Sequence, residues 1–264
     1  MPLSLQTFPT VREASAALAG AATRYLGGGT LAVRAANEGD LSCETLVRST
    51  DPELRRISIS SGMARLGASV TMAQVARHDG LSSIAAAARA VGGPAIRNMA
   101  TIGGNLFAPT PYGDFAVALL ALGAQVEIDG KAMGIDEFLL LRDKIDGIVS
   151  GVSFGIPAAG AFRFAKVSRV KPKGVSVLSI AALITVDAAG AITDARIALG
   201  CMADRPIRAK KAEGMLAGAT LTAQSVAQAV EAVSDGIRPP SDPIASEWYR
   251  REVLPVHFRR LLLS

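Results

Sequence analysis

Two glycine clusters constrain this chain more than any other feature. One is Gly27-Gly28-Gly29-Thr30; the other is Thr101-Ile102-Gly103-Gly104-Asn105, at the end of a run that starts at Arg97. Glycine has no Cβ, so it marks places where backbone must approach something closely or take up a positive φ. Successive amides in a tight glycine turn form a nest for anions. Brought together in one domain, the two clusters are expected to form two walls of a phosphate-binding groove. Thr30, Thr101 and Asn105 would add side-chain donors at its rim.

The segment from Gly27 to Ala32 matches the pattern G-x-G-x-x-A, and Asp51 lies about 20 residues further on. A dinucleotide site of that kind needs a long buried strand before the glycines and a well-formed helix after them. Here the preceding strand is short, and a capped helix lies before it. The expectation is a strand-end loop that holds a pyrophosphate without a Rossmann crossover; the plain alternative is an ordinary glycine-rich turn. Asp114, after a stretch of small residues and prolines, has two compatible readings: an acceptor for ribose hydroxyls, and a helix N-cap.

The chain has 264 residues and is 50% hydrophobic, enough for two compact domains. No run approaches the roughly 20 apolar residues that span a bilayer. No basic region followed by an apolar block opens the chain, so no secretory signal is expected, and the expected compartment is the cytoplasm. The two cysteines, Cys43 and Cys201, are too few for an iron–sulfur cluster or a structural zinc; both are expected to be buried thiols. His78 and His257 stand in no ligand spacing, so no metal is expected in this chain. The net charge is +5, but the basic residues are scattered and not interleaved with aromatics, which argues against nucleic acid. Their densest groups, at 166–173, 210–211 and 250–260, suit an anionic cofactor or a protein partner.

Thr10 with Glu13 and Thr71 with Gln74 are capping boxes, in which each side chain satisfies the other residue's amide. They predict helices over 11–19 and from 72 onward. Short strands are expected at 24–26 and 45–48, and a hairpin at 56–60 and 64–68 around Ser61-Gly62. A helix over 83–91 must stop at Gly92-Gly93-Pro94. Residues 95–113 read as one long functional loop, and Asp114 as the cap of an apolar helix to about 122. Asp129-Gly130 suits a type I′ turn between strands 125–128 and 131–133. A strand at 148–154 precedes a boundary at 157–160. Strands at 162–168, 176–186 and 192–199 then form an antiparallel sheet, with a turn at 187–190. Helices are expected over 208–216, 223–234 and 245–263, with Pro255 kinking or interrupting the last. The fold class is α+β, divided into 1–157 (two α/β subdomains, about 1–55 and 56–157) and 158–264.

The segment Val91-Gly92-Gly93-Pro94-Ala95-Ile96-Arg97-Asn98-Met99-Ala100-Thr101-Ile102-Gly103-Gly104-Asn105-Leu106 resembles the hallmark of one flavoprotein family. That family is the FAD-binding (medium) subunits of the molybdenum hydroxylases, of the xanthine dehydrogenase and carbon monoxide dehydrogenase type. Asp114 with residues 118–124 is similar to the same family, as are residues 26–31, 66–71, 164–169 and 245–251. The resemblance covers nearly the whole chain. It implies a two-part FAD-binding domain of the PCMH (vanillyl-alcohol-oxidase-like) type, followed by a C-terminal antiparallel sheet with helices.

It also implies non-covalent FAD. Gly27, Gly28, Gly29, Thr30 and Leu31 would wrap the pyrophosphate from one side, and Thr101, Ile102, Gly103, Gly104 and Asn105 from the other. Asp114 would contact ribityl or ribose hydroxyls, and Lys166 would lie near the N1/O2 edge of the isoalloxazine, where a cation favours the anionic reduced flavin. The implied role is electron transfer, with no general base or nucleophile on this chain. Electrons would come from the [2Fe–2S] clusters of a small subunit, while a large subunit carries the molybdenum–pterin cofactor, in a dimer of heterotrimers. No [4Fe–4S] insertion is present in the sequence.

After Arg169 relatives commonly show a Gly-Asp-Phe/Ile-Ala-type sequence; here residues 170–176 replace it without an acidic residue. The acceptor (NAD, a quinone, a cytochrome or oxygen) therefore stays open, as does the substrate, which another subunit binds. Residues 32–36 are also less apolar than in many relatives. Two other readings are a standalone FAD-dependent reductase like that acting on peptidoglycan precursors, whose late Ser/Glu pattern is missing here, and a flavin-free scaffold subunit.

Overall fold

Three sheets follow one another along the chain in a computed structural model that describes residues 3–20, 22–145, 147–170 and 174–264. The first is parallel, in the order β1 (Ser4–Phe8), β3 (Thr45–Ser49), β2 (Thr23–Tyr25). Helix Val11–Ala17, with its Thr10–Glu13 capping box, joins β1 to β2. Helix Ala32–Asn37 joins β2 to β3. Strand β1 was not expected, because this edge strand buries no alternating face. Its small core is Ala14, Val47 and Ile148.

The second sheet is antiparallel, in the order β4 (Ile57–Ser60), β5 (Met63–Gly67), β8 (Val149–Gly155), β6 (Gln125–Ile128), β7 (Lys131–Gly134). Its two hairpins turn at Ser61-Gly62 and Asp129-Gly130, where all four residues have positive φ, as type I′ turns demand. Between β5 and β6 the chain is helical: Met72–Arg77, Ala85–Ala90, Pro94–Met99, Ile102–Leu106 and Asp114–Leu122. The long loop expected over 95–113 is thus corrected. Pro94 starts one short helix, where its missing amide costs nothing, and the Thr101 side chain caps the next. A further helix, Ile135–Leu141, had no strong signal.

The third sheet, in the order β12 (Ile207–Arg208), β11 (Ile192–Gly200), β10 (Ser176–Val186), β9 (Phe162–Ser168), is antiparallel and follows the other two along the chain. Leu178, Ile180, Ala182 and Ile184 of β10 face one core, and Ala181 and Leu183 face the other. Side chains alternate across a strand, so β10 is covered on both sides. One cover is helix Asp114–Leu122, buried at every position. Helices Lys210–Leu216, Ala227–Ala232 and Glu247–Leu262 supply the other core.

The last helix, Glu247–Leu262, contains Pro255 and is not interrupted there, so of the two expected effects of that proline the interruption does not occur. The loss of one backbone bond is outweighed by burial of Leu254, Phe258, Leu261 and Leu262. Arg250, fully buried, adds bonds to Val177 O, Pro240 O, Ala245 O and the Asp242 carboxylate. Cys43 is half-buried rather than buried, and neither cysteine is bonded to the other. Among the described residues no helix is long and apolar enough to cross a membrane.

Candidate functional site

The first glycine loop leaves β2 where the Leu26 amide makes the last sheet bond, 2.7 Å from Val47 O. Gly29 then takes φ 75°, a conformation that costs glycine nothing. The carbonyls of Gly29 and Leu31 accept from Val33 and Ala35 as the helix starts. The amides of Gly27, Gly28, Gly29 and Thr30 meet no acceptor among the described residues. Open amides in a half-buried turn are the requirement for an anion nest.

One expectation is corrected here. Since β2 and β3 are parallel, the loop does open a crossover, although its strand has three residues and its helix six. The match to the dinucleotide pattern goes no further. Asp51 caps residues Pro52–Arg55 and accepts from the Glu53 and Val11 amides.

The second glycine loop has the opposite wiring. Ile102 N donates to Val70 O at 3.0 Å and Gly103 N to Ala68 O at 2.9 Å. Gly104 N donates to Thr101 Oγ1 at 3.1 Å, and Asn105 N to Thr101 O at 2.9 Å. Neither Gly103 nor Gly104 has the positive φ that the sequence allowed; both are helical. Proximity requires them instead. A Cβ on Gly103 would lie 3.1 Å from Ala68 Cβ, and one on Gly104 would lie 3.1 Å from Thr101 Oγ1. Asn105 is buried, and its Oδ1 accepts from Ala116 N at 2.9 Å. It fills one of the orphan donors at the start of helix Asp114–Leu122. Gly113, at φ 91°, is the cap residue of that helix, and Asp114 is its first residue.

The two loops touch. A Cβ on Gly28 would lie 1.7 Å from Met99 O, and one on Gly27 would lie 2.9 Å from Thr101 Oγ1 and 3.6 Å from Gly104 N. Gly27 and Gly104, both exposed, therefore adjoin as a glycine surface flanked by the Thr101 hydroxyl. Beside it opens a cavity of about 410 Å³ lined by Gly28, Gly29, Thr30, Val33, Arg34 and Met99. Arg34 donates to Tyr112 Oη at 3.1 Å, tying this helix to the loop before Asp114. A larger cavity, about 610 Å³, opens at the 155–161 connection beside β9–β11, and none of the sequence-predicted residues lines it.

Asp114 and Lys166 come together as an ion pair. Lys166 Nζ lies 2.8 Å from Asp114 Oδ2 and donates to Ala90 O at 2.9 Å. Ser176 Oγ donates to Asp114 Oδ1 at 2.6 Å. Burial, and then the Asp114 charge, push the neighbouring Cys201 thiol up to about 12. Ser176 was not singled out in the sequence; its only sign is a hydroxyl at the first position of a largely apolar strand. The expected loop at 170–176 lies partly outside the described residues, which omit 171–173.

Comparison with known proteins gives two family matches. Residues 3–149 match the FAD binding domain in molybdopterin dehydrogenase, and residues 163–264 match the CO dehydrogenase flavoprotein C-terminal domain. The chain is 30% identical over 228 residues to the nicotinate dehydrogenase FAD-subunit of Eubacterium barkeri, covering 80% of this chain and 77% of that one. Two solved structures share the fold. A carbon monoxide dehydrogenase from Hydrogenophaga pseudoflava lacking the Mo-pyranopterin moiety of its cofactor has a TM-score of 0.90 at 23% identity, covering 99% of this chain and 96% of that one. Quinoline 2-oxidoreductase from Pseudomonas putida 86 has a TM-score of 0.88 at 24% identity, covering 100% and 96%.

Proposed function

We propose that this chain, which belongs to the FAD-binding subunits of the molybdenum hydroxylases, is the electron-transfer subunit of a heteromeric enzyme. In this reading it accepts electrons from the [2Fe–2S] clusters of a small partner and passes them to an external acceptor. A large partner carries the molybdenum–pterin cofactor and the substrate, the assembly is a dimer of heterotrimers, and its compartment is the cytoplasm. The division of the chain at 157/158, and of its first part near 55, belongs to the same proposal.

One observation carries the reading: four amides, of Gly27, Gly28, Gly29 and Thr30, without an acceptor among the described residues, beside a glycine surface flanked by the Thr101 hydroxyl. Pyrophosphate oxygens are acceptors only, so the donor set fits them. Gly27, Gly28, Gly29, Thr30 and Leu31 would hold the pyrophosphate directly. Thr101, Ile102, Gly103, Gly104 and Asn105 would close the other side, chiefly by shape, because their amides are already bonded. The chemistry that FAD supplies when bound is to store two electrons and release them singly or together, which joins one-electron donors to either kind of acceptor.

Lys166 would face the flavin, and Asp114, which accepts from Lys166 through Oδ2 and from Ser176 through Oδ1, keeps lone pairs with which it would contact a ribityl or ribose hydroxyl. No residue here needs to move a proton at carbon. The test is the visible spectrum of the purified chain, with identification of any released flavin. About one non-covalent FAD per chain is expected. A folded, colourless chain that takes up no added FAD contradicts the proposal.

A further inference from the structure

We propose that Ser176 is a positioning residue for the cofactor chemistry. Its hydroxyl fixes the Asp114 carboxylate, which holds the Lys166 ammonium so that one N–H is left for bound FAD. This rests on the reading above that the chain carries FAD.

The geometry supplies each link. Ser176 has no exposed surface, and its 2.6 Å bond to Asp114 Oδ1 is in the range of charge-assisted O–H···O⁻ contacts. The terminal torsion of a carboxylate is broad, so a lone Lys–Asp contact leaves its orientation loose. With Oδ1 held by Ser176, Oδ2 is the oxygen turned to Lys166 Nζ. An ammonium has three donors, and the described residues fill two of them, through Asp114 Oδ2 and Ala90 O. The Lys166 side chain is only 12% exposed. An ion pair taken out of water is tolerated when its remaining donors and acceptors are satisfied, so a donor left over at this depth points to an acceptor supplied from outside the chain.

Ser176 is itself clamped. Cys201 Sγ donates to its carbonyl at 3.6 Å, and Arg250 Nε donates to the next carbonyl, Val177 O, at 2.9 Å. Asp114 is registered to the second glycine loop, because Asn105 Oδ1 holds the helix that carries it. The four groups come from both parts of the molecule. Ala90 and Asp114 lie between β5 and β6, Lys166 lies on β9 and Ser176 on β10. The cluster thus fixes a cation at the seam between them. A cation held there favours the negatively charged reduced cofactor over the oxidised one, and its placement sets the midpoint potential.

The test is Ser176→Ala in the full chain, reconstituted with FAD and titrated spectroelectrochemically. The expected result is about a tenfold loss of preference for the reduced cofactor. That is about 30 mV lower for a two-electron couple, with affinity for oxidised FAD little changed. Ser176→Thr keeps the hydroxyl and should restore the potential. Lys166→Met should lower the potential as well, and adding Ser176→Ala to it should cause no further shift, since the serine acts through the lysine. A Ser176→Ala chain that melts earlier but keeps the wild-type potential overturns the inference, as does an additive double variant. If the wild-type chain binds no FAD, the underlying reading fails and takes this inference with it.

Discussion

The two glycine loops of this protein use the same residue for different ends. In the first, at Gly27–Thr30, the backbone amides are left open and the chain turns through a positive φ at Gly29. In the second, at Thr101–Asn105, every amide from Ile102 onward is bonded within the fold, and the glycines are there so that other backbone can come close. One loop offers donors; the other offers a surface. The difference shows that a glycine pair in a sequence specifies closeness, and that its use depends on where distant acceptors lie. Here those acceptors are Ala68 and Val70, about a helix-rich excursion away in the chain but adjacent in space.

The contrast can be broken most sharply at the point where the loops touch. Gly28→Val puts side-chain atoms on Met99 O and C. It should abolish FAD uptake and destabilise the chain by about 3 kcal/mol, the upper range for overpacking. Thermal unfolding and flavin absorbance read both effects, and a variant with wild-type melting and full flavin would mean that the loops do not meet. Gly103→Val presses on Ala68 Cβ and O at 3.1 and 3.2 Å, a milder clash. It should cost about 2 kcal/mol and abolish FAD binding by displacing the second wall.

Thr30→Val tests the donor loop alone. FAD affinity should fall about tenfold, the worth of one hydrogen bond to a charged group, with the melting temperature unchanged. Calorimetric titration checks the first and scanning calorimetry the second. Thr101→Ala tests the support loop alone. Loss of the cap to Gly104 should cost about 1 kcal/mol of stability, with a smaller effect on FAD affinity than Thr30→Val has. If Thr101→Ala weakens FAD binding more than Thr30→Val does, the roles assigned to the two loops are reversed.

Much of the framework was legible because its signals are local. The two capping boxes, the two type I′ turns and the apolar run of β10 each act within a few residues, and each is found where its chemistry demands. The misses have non-local causes. β1 is an edge strand without a buried face, so it has no alternation to read. The short helix Ile102–Leu106 is held by Val70, Ala68 and Thr101 rather than by propensity. Pro255 stays within a helix because tertiary packing outweighs one missing backbone bond. At the site the glycine loops were visible and were expected as two walls of one groove, but neither their direct contact nor their unequal wiring was expected. Asp114 and Lys166 were marked separately, and nothing in the sequence paired them with each other or with Ser176.

Amide hydrogen exchange of the full chain, with and without added FAD, tests the central contrast most directly. Open amides exchange quickly, and bonded, buried ones slowly. The account predicts that Gly27, Gly28, Gly29 and Thr30 exchange fast in the free chain and become protected when FAD is added, while Ile102, Gly103, Gly104 and Asn105 are protected in both states. Protection gained only at 102–105, with the first loop unchanged, would contradict it.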